Sequence, residues 1–191
     1  MCGIVIPEPK GKGNNTLIGR DSMVRFSLAA AAACVALFFG SAVNAQQPAA
    51  PPSAPPDYGP PVTQDQAMRI AAAAQEGAKK LGQRVVITIV GPSGDLVYFT
   101  KMDGAQYGSI AVSQSKARTA AIFRRPTKIF EEALAKGGPT LTILTLPGVI
   151  ASAGGIPIMI DGKVAGAVGV SGSPAGTIDH EAAEAGLAAL K

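Results

Sequence analysis

Ile156-Pro-Ile-Met-Ile160, Asp161-Gly162 and Lys163-Val-Ala-Gly-Ala-Val-Gly-Val170 make up the stretch that decides the fold. Two apolar runs flank a two-residue Asp-Gly turn, and that dipeptide between such runs is a strong short-range sign of a β-hairpin. Upstream, Val85-Val-Ile-Thr-Ile-Val90 is a β-branched run and reads as a buried strand. Gly91-Pro-Ser-Gly-Asp95 supplies turn chemistry, and Leu96-Val-Tyr-Phe-Thr100 returns as the antiparallel partner. Thr140–Leu144 reads as a further short strand.

Helices punctuate these strands. Thr63-Gln-Asp-Gln66 is a capping box, and behind it Ala67, Ile70, Ala71, Ala74, Ala78 and Leu81 keep the helical period until Gly82. Ser109 is placed to cap a second helix that runs to about Phe123 and ends at Arg124-Arg125-Pro126. A short helix over Thr127–Ala135 stops at Gly137-Gly138. The last helix runs from about Thr177 to Leu190, with Asp179 and Glu181 in its first turn, where the helix dipole favours negative charge. Hairpins with helices at intervals imply an antiparallel sheet covered by helices, an α+β layout.

The chain has 191 residues, 47% of them hydrophobic and 16% charged, a composition that excludes a disordered polar tail protein. Its net charge of +4 falls to +2 from Gln46 onward, too weak and too scattered for a nucleic-acid binder. From Met23 a short basic region leads into an apolar run, Leu28–Phe39, and then to Val43-Asn-Ala45. This is the order of an export signal, and the run is shorter than the roughly 20 residues a membrane-spanning helix needs. Cleavage after Ala45 is therefore expected, with residues 23–45 as signal peptide and a periplasmic or secreted destination. Residues 1–22 read as a gene-start artefact ahead of the natural Met23. Cys2 and Cys34 both fall in the removable part, which leaves a mature chain without thiol chemistry. Residues 46–61 hold seven prolines and read as an extended tether, and residues 62–191 as the folded unit.

Motifs for chemistry are sparse. Gly169-Val-Ser-Gly-Ser173 departs from the nucleophile-elbow pattern at its fifth residue, and the one histidine, His180, is the sole base available to Ser171. Gly166, Gly169 and Gly172 lack the dinucleotide spacing, and no phosphate loop is present. One His without Cys excludes a structural zinc. Asp179, Glu181 and Glu184 beside His180 read as a solvated first helical turn. Arg124, Arg125 and Lys128 around Pro126 form a cation cluster that suits carboxylates, or a solvated helix end.

Several segments together resemble one family. They are the 85–90 strand with Gly94-Asp-Leu96, Met102-Asp-Gly-Ala105, Ser113-Gln-Ser-Lys116-Ala-Arg-Thr119-Ala120, Gly154-Gly-Ile-Pro-Ile158 and Gly166-Ala-Val-Gly-Val-Ser-Gly172, followed by Asp179. The combination resembles the GlcG/HbpS family of haem-binding proteins, also found as the C-terminal domain of PduO-type corrinoid enzymes. That resemblance implies a profilin-like α/β/α arrangement with a five-stranded antiparallel sheet between helices, assembly as a homo-oligomer, and binding of haem or a related tetrapyrrole for capture, sensing or degradation. A membrane sensor or transport protein is the implied partner.

Haem needs an apolar slot, an axial donor and cations for its propionates. The early-helix histidine that some relatives use has no counterpart in Thr63–Gly82. The donors left are His180, Met102, Tyr107, Lys116, Met159 and the hydroxyls of Thr119 or Thr127, with His180 first as iron ligand because its imidazole is neutral near physiological pH. Arg124 and Arg125 are candidates for the propionates. Two other readings stand beside this one. The first is an enzyme acting on a small organic acid through Arg124, Arg125 or Lys116, and the second a ligand-free accessory partner of a membrane protein.

Overall fold

A computed structural model of the chain describes residues 54–190. The gene-start segment, the export signal and the first part of the Pro-rich tether lie outside the described residues. Helix α1 (Gln64–Lys80) opens with the expected capping box. Thr63 Oγ1 accepts from the Gln66 N–H at 3.2 Å while Gln66 Oε1 accepts from the Thr63 N–H at 2.9 Å. Strands β1 (Val86–Val90) and β2 (Leu96–Lys101) pair antiparallel, with a bulge at Ile89/Val90. Helices α2 (Gly108–Phe123) and α3 (Lys128–Ala135) follow, then β3 (Gly155–Ile160), β4 (Lys163–Ser171) and α4 (Gly176–Leu187). The deciding turn forms as its residues dictate, with Asp161 at φ 50° and Gly162 at φ 73°.

Among the described residues the sheet has four strands in the order β2-β1-β4-β3, not five, and no profilin-like topology is indicated. The expected strand at Thr140–Leu144 lies instead within a 3-10 helix, Gly138–Thr145. Pro139 at its start sets φ and removes a donor. Thr140, Thr142 and Thr145 then donate their hydroxyls to the carbonyls of Gly137, Pro139 and Thr142, at 2.8, 3.0 and 2.7 Å. Threonines that bond to nearby backbone stabilise local turns over a ladder. None of these eight residues is buried, so no core contact overrides that preference.

Helices α1 and α4 cover one face of the sheet and α2 the other. The α1/α4 face holds the larger core: Ile70, Ile87, Ile89, Ile158, Val168 and Val170 are all fully buried. Each such side chain contributes roughly 1.5–3 kcal/mol. The α2 face is thinner, with Val90, Ala167, Ala117, Ala120 and Ala121. Small residues bring α2 onto β4 almost backbone to backbone, so that a Cβ at Gly169 would collide with Ser113 O and come within 2.5 Å of Ala117 N. Ser109 does not cap α2. It lies one residue inside, buried, and its Oγ accepts from Gln106 Nε2 at 3.0 Å.

Residues 57–62 run beside the start of β4, through Val164 N–H to Asp57 O (2.8 Å), Gly59 N–H to Val164 O (2.9 Å) and Val62 N–H to Ala165 O (2.8 Å). Tyr58 adds a bond from its hydroxyl to Ile122 O at 2.7 Å. No helix among the described residues is long and apolar enough to cross a membrane.

Candidate functional site

The period of α2 puts Ser109, Ser113, Lys116, Ala117 and Ala120 on the stripe that faces the sheet. A lysine on that stripe must find a partner or lose its hydration without compensation. Lys116 Nζ donates to Asp179 Oδ2 at 2.8 Å and to Val170 O at 3.2 Å. The carboxylate's other oxygen accepts the Ser173 N–H at 3.0 Å. Lys116 is 1% exposed and Asp179 3%, so the pair ties α2, the end of β4 and the first turn of α4 together inside the protein. Gly154, at φ 119°, lies against both side chains, and a Cβ there would come within 2.9 Å of Asp179 Cβ and 3.1 Å of Lys116 Nζ. Asp179 is therefore not part of a solvated first turn, as its sequence neighbours suggested.

A second set of buried polar contacts holds the segment before β3. Thr127 Oγ1 donates to Ser152 O at 2.6 Å and accepts the Gly155 N–H at 2.9 Å. Glu131 accepts from the Ala153 N–H. Thr119 Oγ1 donates to Gly148 O at 3.3 Å and accepts the Ile150 N–H at 3.1 Å. Both threonine hydroxyls are thus committed to the backbone of the 148–155 loop.

His180 follows Asp179 on α4 but faces another way. Its Nε2 lies 3.5 Å from Glu184 Oε1, and its Nδ1 is enclosed without a hydrogen-bond partner among the described residues. Burial holds the imidazole below its usual pKa, and Lys128 acts in the same direction. The carboxylates of Glu184, Glu132 and Glu131 oppose them. The ring is therefore neutral at physiological pH, the form that ligates metal ions.

One and two turns further along the same helix face, Glu184, Leu187 and Ala188 form one wall of an open groove of about 450 Å³. Leu190 and the edge-strand residues Ile156, Pro157 and Met159 complete it. Met159 is 43% exposed, which leaves its thioether accessible. The groove is mostly apolar, with a neutral imidazole on the helix face that leads into it. The apolar lining and the Met159 thioether suit an iron tetrapyrrole, while His180 stands one turn before the lining and is not part of it.

The remaining sequence candidates do not converge on this groove. Arg124, at φ 54°, ends α2, donates to Pro56 O at 3.1 Å and stacks 5.1 Å from the Tyr58 ring. Arg125 donates to Phe123 O at 3.1 Å and lies over Phe130, while Lys128 is 3.9 Å from Glu132. The three cations point to three separate partners, which removes the geometric basis for a shared carboxylate site there. Met102 Sδ accepts the Val85 N–H at 3.4 Å and lines a different cleft, with Lys79 and Arg84. Tyr107 is 83% exposed beneath Lys101. Ser171 ends β4 opposite Val86 and makes no hydrogen bond to His180. Among the described residues no cluster of three or more His, Cys, Asp or Glu could hold a metal ion by itself.

The Lys116–Asp179 pair was not read from the sequence. The available signal was the stripe of 109, 113, 116 and 120, which places a lysine where only a buried partner can satisfy it.

Comparison with known proteins follows the same outline. The profile of a family described as "Haem degrading protein HbpS-like" matches residues 62–188. Protein GlcG of Escherichia coli (strain K12) is 39% identical over 110 residues, covering 58% of this chain and 81% of that protein. The crystal structure of a Streptomyces reticuli HbpS double mutant superposes with TM-score 0.64 at 31% identity, covering 77% of this chain and 99% of the other. That of a PduOC:heme complex superposes with TM-score 0.61 at 25% identity, covering 68% and 94%.

Proposed function

Because the chain belongs to the HbpS-like family, a family described as haem-degrading, we propose that it is an exported protein that binds haem or a related tetrapyrrole in the groove between β3 and α4. The observation that carries the reading is the apolar groove itself, with the Met159 thioether in its lining and the neutral, partly buried His180 one helical turn before it. Met159 and His180 would be the residues that hold the iron. Leu187, Ile156 and Pro157 would carry the macrocycle's apolar face. When bound, haem supplies an iron centre with coordination chemistry the polypeptide lacks. The chain's own part is to exclude water from one macrocycle face and keep the imidazole deprotonated and oriented.

Export to the periplasm or beyond rests on the basic, apolar and small-x-small order of residues 23–45. Assembly as a homo-oligomer is part of the same proposal. It is supported by the groove's open side along edge strand β3, where a second copy would enclose the ligand.

The test is a hemin titration of the purified protein followed by absorbance. A saturable, shifted Soret band is expected, and His180→Ala should weaken binding and move the band. A wild-type spectrum that stays that of free hemin rejects the reading. A variant spectrum identical to wild type removes His180 as ligand.

A further inference from the structure

Helix α2 packs on β4, β1 and β3 and leaves the same face of the outer strand β2 largely uncovered. The register puts Leu96 beside Val90 and Phe99 beside Thr88 on that face. A groove of about 300 Å³ runs between this strip and the helix, with Val90 and Leu96 on its apolar side. Leu96 is 59% exposed, an uncompensated apolar surface at a concave place. Across from it stand Gln114, Ser115 and Arg118, which converge on one side of α2 at positions i, i+1 and i+4.

We propose that this groove binds a small carboxylate with a short apolar body, its carboxylate held by the Arg118 guanidinium and its body laid against Val90 and Leu96. Among the described residues Arg118 makes neither an ion pair nor a side-chain hydrogen bond, although it stands within a built groove. Its stem is seated by the β1–β2 turn. Gly94 has φ +87°, and a Cβ added there would lie 3.0 Å from Arg118 Cγ, so the glycine lets the turn close on the stem and aim the fork. No carboxylate lines the groove. The acidic neighbour in the turn, Asp95, is engaged by the Ser93 hydroxyl. A planar guanidinium fork facing an apolar wall selects a planar anion joined to an apolar group. The volume is at the low end of the roughly 300–1,000 Å³ typical of ligand pockets, which suits a small acid and not a macrocycle. The site lies on the opposite face of the sheet from α4 and at the opposite edge from β3, so it stands independently of the haem reading.

Benzoate is the probe, titrated into the purified protein and followed by amide chemical shifts, with benzyl alcohol as its neutral counterpart. Saturable shifts are expected over residues 88–96 and 114–118, and none of comparable affinity with the alcohol. Arg118 is exposed, so Arg118→Gln leaves the fold intact and should weaken benzoate binding about 10- to 100-fold, the worth of a charge-assisted pair. Leu96→Ser should weaken it through the lost apolar wall, and His180→Ala should leave it unchanged. Absence of saturable shifts, equal binding of the alcohol, or undiminished affinity in Arg118→Gln would overturn the proposal. Benzoate binding without hemin binding would reject the haem reading and leave this one standing.

Discussion

Replacing Lys116 by Met keeps the length of the side chain and deletes its charge. Asp179 is then left 3% exposed, with the Ser173 N–H as its one remaining hydrogen-bond donor. Removing one member of a buried pair costs about 3–5 kcal/mol, because the stranded charge keeps its desolvation penalty without its Coulombic partner. Asp179→Asn strands the ammonium in the same way, beside the Val170 carbonyl and a neutral amide. Each single variant should therefore lose about 4 kcal/mol, against a total domain stability of about 5–15 kcal/mol. For a domain of this size that is a fall of roughly 15 °C in melting temperature. The double variant buries no net charge and should lose only about 1–2 kcal/mol, which gives a coupling of about 6 kcal/mol. Urea unfolding of all four proteins, followed by circular dichroism and compared at constant m-value, measures the cycle. Single losses below about 1 kcal/mol, or losses that simply add in the double variant, would show that the pair is not the clamp described.

Stability should fall as pH drops from about 7.5 to 5.5, because folded His180 is held neutral by burial while the unfolded imidazole takes up a proton near its usual 6.5. Glu184 on its own helix and Lys128, Glu131 and Glu132 on α3 surround it, so His180→Gln is the control. It should flatten that part of the pH–stability curve, and a slope that persists unchanged would assign it elsewhere. Gly169→Ala should cost about 3 kcal/mol or prevent folding, because its methyl meets the α2 backbone at Ser113 and Ala117. A melting temperature within a degree or two of wild type would contradict that packing. Thr127→Val removes one hydroxyl that both donates to Ser152 O and accepts from Gly155 N–H, and should cost about 2 kcal/mol. Amide exchange should quicken over residues 148–155 in that variant and stay as it was in α1.

Much of the fold was legible in local chemistry. The Thr63 capping box and the Asp161-Gly162 turn each satisfy their own backbone within a few residues, and the Val86–Val90 run shows its strand by β-branched composition although its ladder is completed by the distant β4. Thr140–Leu144 misled for a related reason. Its β-branched composition favours a strand only where a sheet can bury it, and here the hydroxyls find carbonyls three residues back. The candidate site was less legible. His180 could be singled out by its type, but its burial and its unpartnered nitrogen depend on α3, more than forty residues earlier in the chain. Lys116 and Asp179 are 63 residues apart, and nothing local pairs them.

The amino-acid order by itself determined where α1 begins and where the β3–β4 hairpin turns, since these follow from dihedral preference and side-chain caps. Tertiary structure alone decided which polar side chains are buried together, which arginines are already engaged and which remain free, and which strip of sheet stays open. Those outcomes depend on desolvation and on contacts between elements distant in sequence, and neither exists until the elements pack.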